Sequence, residues 1–235
     1  MAVFSLIIPC YNESKSIPLL IESCVESFNN RNDIEVILVD NGSNDGSYDL
    51  MGKHTHDFDF IKVLRVEKNL GYGNGIIEGI NYSTTPFVGW THADLQTDPK
   101  DFLRGVKFFE DSQLSEDLFV KGLRYGRPFF DIFFTVCMSI FESFLFKRIL
   151  WDINAQPNIF HRDFFESLDQ KPSDFSLDLF IYFSAKKKKL SIKRFPVNFG
   201  ERKFGKSHWN IDFKSKLKFI KRTYEYSIRL KNENN

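Results

Sequence analysis

FSLIIPCYNES, residues 4–14, and IEVILVDNGSNDGS, residues 34–47, share one pattern: a short apolar run that halts at a cluster of Pro, Asn, Asp, Gly and Ser. Residues 14–29 between them have helical periodicity beginning near Ser14 or Ser16, so the chain opens as strand, helix, strand. A third run, Ile61–Arg65, leads into NLGYGNG (69–75) and a helix expected over Gly75–Tyr82. A fourth, Phe87–Thr91, ends in HADLQTDP (92–99). Strands alternating with helices predict a parallel sheet that gathers its ligands at the strands' carboxyl ends. The Asp, Asn and Gly clusters all fall at such ends, which marks that edge of the sheet as the functional one.

Beyond residue 100 the pattern loosens. A helix is expected near 99–111, a strand near Leu118–Leu123, and a helix over the aromatic stretch FFDIFFTVCMSIFESFLF (129–146). A short strand near Ile159–Arg162, a helix from Ser176 to Lys188, a strand at Leu190–Pro196 and a C-terminal helix from about Asp212 complete the reading. In 235 residues there is no repeat and no Gly/Ser/Pro-rich linker, so a single domain is expected over 1–235. Within it, 1–100 is read as the ligand-binding half, 101–211 as a second half and 212–235 as a basic helix.

With 32 Lys+Arg against 31 Asp+Glu the formal charge is +1, which excludes a surface built to coat nucleic acid. The positive charge is uneven: Lys186–Lys189, Lys193, Arg194, Arg202, Lys203, Lys206 and the C-terminal lysines concentrate it where it could face phosphates or anionic lipid. Cys10, Cys24 and Cys137 lack a CxxC or metal-ligand spacing and are read as free thiols of a reducing compartment. The first residues run into FSLIIPC without a basic region and cleavage site, so a cytoplasmic location is expected. Asp131 and Glu142 interrupt the aromatic stretch and make it a poor membrane span; its stripe Phe130, Phe133, Phe134, Cys137, Phe141, Phe144, Leu145 is expected to pack in the core or a homodimer contact, with a peripheral membrane surface as the alternative.

His92, Asp94 and Gln96 alternate just past a strand, so an extended backbone would point all three the same way and let them hold a divalent ion; a helix cap is the competing reading. Such an ion suits a departing pyrophosphate, whose oxygens gain charge as its bond to a sugar breaks. Asp40 in DNGSNDGS could accept hydrogen bonds from a base or ribose, although a plain turn explains that cluster equally well. NLGYGNG does not have the GxGxxG spacing of dinucleotide-binding loops, which argues against a dehydrogenase. KGLRYGRP (121–128) brings Lys121, Arg124 and Arg127 together for an anionic group, and RKFGKSHW (202–209) places Arg202 and Lys206 around a glycine in a loop suited to closing on a diphosphate.

Together with DINAQP (152–157), these motifs occur in an order that resembles family-two glycosyltransferases of the GT-A fold, and more closely the dolichyl- or polyprenyl-phosphate mannosyltransferase group, over residues 4 to about 210. The resemblance implies a Rossmann-like three-layer α/β/α sandwich with a mostly parallel central sheet. It also implies a UDP- or GDP-linked sugar donor, a divalent cation (Mn²⁺ or Mg²⁺), and a lipid-phosphate or glycan acceptor. On this likeness Pro9, Tyr11 and Glu13 line the nucleoside pocket and Asp40 binds the base or ribose, while Asn69 and Gly71 lie under the donor. Asp94 and Gln96, with His92, hold the metal; Arg202 and Lys206 close over the diphosphate; Arg124 and Arg127, beside Lys121, receive the acceptor phosphate. Asp152 lies where the family meets sugar and acceptor. The chain departs from the family at His92, commonly aspartate, at Asn41, commonly acidic, and at Tyr72, commonly lysine.

The implied reaction is inverting. A phosphate acceptor is already ionised and needs no base; a hydroxyl of a surface polysaccharide or glycolipid would need one, for which Asp152 and Asp178 are the candidates. A degenerate protein that binds nucleotide-sugar but lost turnover through His92 is the reading from another class.

Overall fold

The computed structural model describes residues 2–204 and 213–233, with side chains of the second stretch from residue 220. The four runs form β1 (Phe4–Cys10), β2 (Ile34–Asn41), β3 (Ile61–Val66) and β4 (Phe87–Trp90). Between them lie α1 (Ile17–Phe28), α2 (Ser47–Thr55) and α3 (Tyr72–Tyr82); α4 (Asp101–Asp111) follows. Then come β5 (Leu118–Tyr125), α5 (Phe129–Phe146), β6 (Asn158–His161), α6 (Arg162–Glu166), α7 (Leu177–Lys187), β7 (Ser191–Asn198) and α8 (Phe213–Glu233). The five-residue α6 is the helix without a counterpart in the sequence reading.

The seven strands form one sheet in the order β3-β2-β1-β4-β6-β5-β7. β6 runs antiparallel to both of its neighbours and every other pair is parallel, so the mostly parallel sheet expected from the alternation is the one formed. Period-two alternation divides the strands' side chains between two cores. Leu6, Ile8, Val36 and Leu38 pack with α1, α2 and α4 on one face; Ile7, Ile37, Val39 and Val88 pack with α3, α7 and α8 on the other. The result is an α/β/α sandwich.

The strand order reverses at β1, which pairs with β2 on one side and β4 on the other, and open parallel sheets bind their ligands at such a switch point. Register makes the cleft specific. Cys10 lies beside Asp40, so the loops after β1 and β2 leave the sheet together and are stitched at about one spacing: Asn12 N to Ser43 Oγ, Glu13 N to Ser47 Oγ and Ser14 N to Asp45 Oδ2, each 3.0 Å.

The aromatic stripe of α5 divides between the two expectations: Leu145 packs against the second core and Phe141 on Tyr224 of α8, whereas Phe130 is 81 % and Phe144 86 % exposed on the side that points away from the sheet. This helix is also the one among the described residues long and apolar enough to cross a membrane.

Candidate active site

The loops after β1, β3, β4 and β5, with α5 and the start of α7, enclose a cavity of about 550 Å³. Pro9, Tyr11, Glu13, Asn69, Gly71, His92, Asp94, Gln96, Arg124, Arg127, Asp178 and Arg202 all line it, so residues spread over most of the sequence converge on one cleft. Asn41 Nδ2 donates to Gly71 O at 2.8 Å, tying the loops after β2 and β3 together. Gly71 has φ +122°, and a Cβ there would lie 2.4 Å from Ser173 O, so only glycine lets that loop seat against the chain before α7.

At one end stand His92, Asp94 and Gln96. The backbone through them is a turn, with Leu95 at φ 58°, and not the extended segment expected from their alternation. Asp94 Oδ1 accepts the Gln96 amide at 3.2 Å, and the Gln96 side chain donates to Gly200 O at 3.1 Å. The turn still leaves all three facing the cavity. Arg202 reaches in from the loop after β7: its Nη2 donates to Glu13 Oε1 and its Nε lies 3.8 Å from Asp94 Oδ2. That Nε is buried with no hydrogen-bond partner, so the guanidinium is held beside a carboxylate pair with donor capacity left over. Burial pushes the His92 imidazole down from its ordinary value, against the pull of Asp94 and Asp178, in the direction that favours the neutral form a metal ligand needs. A carboxylate, an amide and a neutral imidazole on one wall fit a divalent cation, with the imidazole favouring Mn²⁺ over Mg²⁺.

Two departures from the family pattern touch each other. The rings of Tyr72 and His92 lie 5.9 Å apart, and Tyr72 stacks on Phe175 at 4.8 Å. Tyr72 and His92 thus form an aromatic contact on the wall of the cleft.

At the other end stand Arg124, near the end of β5, and Arg127, in the loop that follows. Arg124 is gripped by Asp152, which accepts its backbone amide at 2.8 Å and its Nε at 2.9 Å; Arg127 donates to Thr135 Oγ1 and lies 3.8 Å from the same carboxylate. Arg127 Nε has no hydrogen-bond partner.

Three expected site residues are placed differently. Lys121 is completely buried, its Nζ donating to Ala155 O and Asn158 Oδ1 at 2.7 Å, and desolvation lowers its pKa to about 7 despite Asp178; it braces β5 on β6 and does not meet an acceptor. Asp152 is buried among Arg124, Arg127 and Arg194. Burial raises its carboxyl, but the charge and hydrogen bonds of Arg124 outweigh this and hold it below the ordinary range, so it positions the arginines and is a poor base. Asp40 has no exposed surface and does not line the cavity: Oδ1 accepts Ser43 N at 3.2 Å, and Oδ2, without a hydrogen bond, lies 3.9 Å from Arg65 Nε. Lys206 lies outside the described residues.

Asp178, by contrast, lines the cavity. On the cavity floor its Oδ1 accepts Trp90 Nε1, Gln156 Nε2 and Asn158 Nδ2, and burial raises its pKa against the pull of Lys121 and His92. The reading of α5 as an aromatic helix missed its inner wall: Asp131, Thr135, Met138 and Glu142 line the cavity. Their spacing of four, three and four inside an apolar run was the available signal. Another acidic group, Glu116, His161 and Asp163, lies at the far edge of the sheet, since His161 pairs with Phe87 at the start of β4.

Residues 5–120 match the model of glycosyl transferase family 2. That segment, from β1 into β5, is similar to glycosyl transferase family 2. Over 109 residues the chain is 32 % identical to the undecaprenyl-phosphate 4-deoxy-4-formamido-L-arabinose transferase of Proteus mirabilis, a match covering 46 % of this chain and 33 % of that one. The homonymous protein of Pseudomonas syringae is 34 % identical over 111 residues, covering 45 % and 32 %. The match thus spans about a third of the length of these curated relatives. Among solved structures the GT-A likeness extends over the whole domain. A mannosyltransferase from Pyrobaculum calidifontis in complex with GDP-Man and Mn²⁺ has a TM-score of 0.70 at 18 % identity over 97 % of this chain and 64 % of its own. Glucosyl-3-phosphoglycerate synthase from Mycobacterium tuberculosis, in complex with Mn²⁺, UDP and glucosyl-3-phosphoglycerate, reaches 0.69 at 15 % identity, over 98 % and 80 %.

Proposed function

We propose that this domain transfers a sugar, with inversion, from a nucleoside-diphosphate donor to a polyprenyl-phosphate. The observation that carries the proposal is that one cavity joins the Asp94 end, with Arg202 and Glu13, to the Arg124 and Arg127 end. A departing diphosphate and an attacking phosphate therefore each have cationic side chains, with the sugar between them. The curated relatives' names, which contain undecaprenyl-phosphate, support the same reading.

Asp94, Gln96 and His92 would hold a divalent cation, which when bound neutralises charge on the leaving diphosphate. Arg202 would exchange its Glu13 contact for diphosphate oxygens. Pro9 and Tyr11 would flank the nucleoside, and Asn69 and Gly71 would pass beneath it. Arg124 and Arg127, aimed by Asp152, would hold the acceptor phosphate for in-line attack, so that catalysis consists of positioning and charge. Such an acceptor is met at a membrane, where the domain would sit peripherally.

A hydroxyl acceptor is the second reading, favoured by Asp178 with its raised pKa on the cavity floor. The deciding experiment offers the protein UDP- and GDP-sugars with Mn²⁺ and either a short-chain polyprenyl phosphate or its dephosphorylated alcohol. Transfer to the phosphate alone supports the proposal; transfer to the alcohol alone overturns it.

A further inference from the structure

α5 is built inside out. Projected down its axis, the polar residues Asp131, Thr135, Ser139 and Glu142 face the cavity, while the outer side presents Phe129, Phe130, Phe133, Ile140 and Phe144 at 59–86 % exposure. A helix covering a water-soluble core places these two faces the other way round. Exposed apolar side chains in such a contiguous strip mark a surface that meets something other than water.

A basic margin at the helix end identifies the occupant. Lys147 and Arg148 follow α5, both exposed, and Arg148 Nη1 donates to Lys186 O, which brings the Lys186–Lys189 run alongside. Ile149, 77 % exposed, and Trp151, 41 % exposed, continue the apolar strip past this margin. Phenylalanines beside lysines and arginines, with a tryptophan at the edge, match the depth profile of an anionic bilayer surface: apolar groups below the phosphates, cations among them. The helix cannot cross the bilayer without burying Asp131 and Glu142, and their side is already occupied by the cavity and by α8, where Ser227 Oγ donates to Glu142 Oε1 at 2.6 Å.

We infer that the outer face of α5 lies in the plane of an anionic phospholipid bilayer, sunk to the level of its phenylalanines. This deepens the proposed function and rests on it in one respect: Arg124 and Arg127 at the N-terminal end of α5 would then stand at phosphate level, so that a lipid-borne phosphate enters the cavity while its chain stays in the membrane.

Cys137 supplies a native probe, since it is exposed on the outer side of α5 whereas Cys10 and Cys24 are buried. Carrying a polarity-sensitive thiol-reactive fluorophore, the full chain should show a blue shift with phosphatidylglycerol-containing vesicles, quenching by shallowly doxyl-labelled lipids, and a much weaker response with pure phosphatidylcholine. The triple variant Phe130→Ser, Phe133→Ser, Phe144→Ser should lose vesicle affinity at least tenfold, with its melting temperature and donor binding kept because these side chains make no core contact. No response to anionic vesicles, or equal binding by the triple variant, overturns the inference. So does a blue shift that rises with protein concentration in the absence of lipid, which would assign the face to a second copy. Transfer to a short, water-soluble polyprenyl phosphate is assayed separately: its failure with vesicle binding intact would overturn the proposed function and leave the membrane face standing.

Discussion

Arg202 and Glu13, 189 residues apart in the chain, are hydrogen-bonded across the mouth of the cavity. The contact sets the loop after β7 against the loop after β1, with Asp94 within 3.8 Å of the same guanidinium. Burial pushes the Glu13 carboxyl up and Arg202 pulls it back without fully compensating, so this is a contact the arginine can exchange for a more strongly charged partner. Arg202→Ala is expected to weaken nucleoside-diphosphate binding by about 10- to 100-fold, the size of a lost charge-assisted hydrogen bond pair. Calorimetric titration with UDP and GDP measures this, and an unchanged dissociation constant would remove Arg202 from the donor site.

Asp94→Ala should abolish transfer, by about 10³-fold or more, with the folded state intact, as for the loss of a metal-borne electrostatic contribution. The wild type should work better with Mn²⁺ than with Mg²⁺ because of His92, and the variant should lose the ability of Mn²⁺ to raise its melting temperature. A variant that still turns over in Mn²⁺ would show that the loop after β4 does not hold the cation.

The two buried aspartates separate by role. Asp152→Asn leaves three arginines around a neutral side chain and should destabilise the protein by about 2–4 kcal/mol, with activity falling through misplaced Arg124 and Arg127. Asp178→Asn keeps an acceptor oxygen for Trp90, Gln156 and Asn158 and should fold normally. Its transfer to a phosphate acceptor should stay within about threefold of wild type, since an ionised acceptor needs no base. A collapse of turnover with donor affinity unchanged would instead favour the hydroxyl acceptor.

Glu142 gives the fold a pH dependence of its own. Burial, only partly offset by Ser227, raises its carboxyl to about 7 from an ordinary value of 4.5, so the folded protein holds a proton that the unfolded chain has released across that window. Its contribution is therefore best below about pH 4.5 and worsens as pH rises to about 7, the reverse of a salt-bridged carboxylate. Glu142→Gln retains an acceptor for Ser227 and removes the ionisation. The melting temperature should rise by several degrees at pH 8, corresponding to about 2–3 kcal/mol, and change little at pH 5. Equal shifts at both pH values would show that Glu142 does not carry this proton.

The sequence by itself determined the βα alternation, the strand boundaries to within about two residues and the carboxyl edge as the site. Those features are local: period-two apolar runs, helical spacing and turn residues such as Gly71 act over a few neighbours. It also supplied the loop motifs that converge on the cavity. Only the tertiary structure decided which charges are usable. Lys121 and Asp178 are both buried and charged on paper, yet one braces two strands and the other looks into the cavity, because β6 inserts antiparallel between β4 and β5 and brings Asn158 up to both of them. Asp152 reads as a free carboxylate until three arginines from β5, its following loop and β7 close on it. The orientation of α5 likewise depends on where the cavity lies: periodicity specifies that a helix has two faces, and the surroundings assembled by the rest of the chain specify which face meets water, protein or lipid.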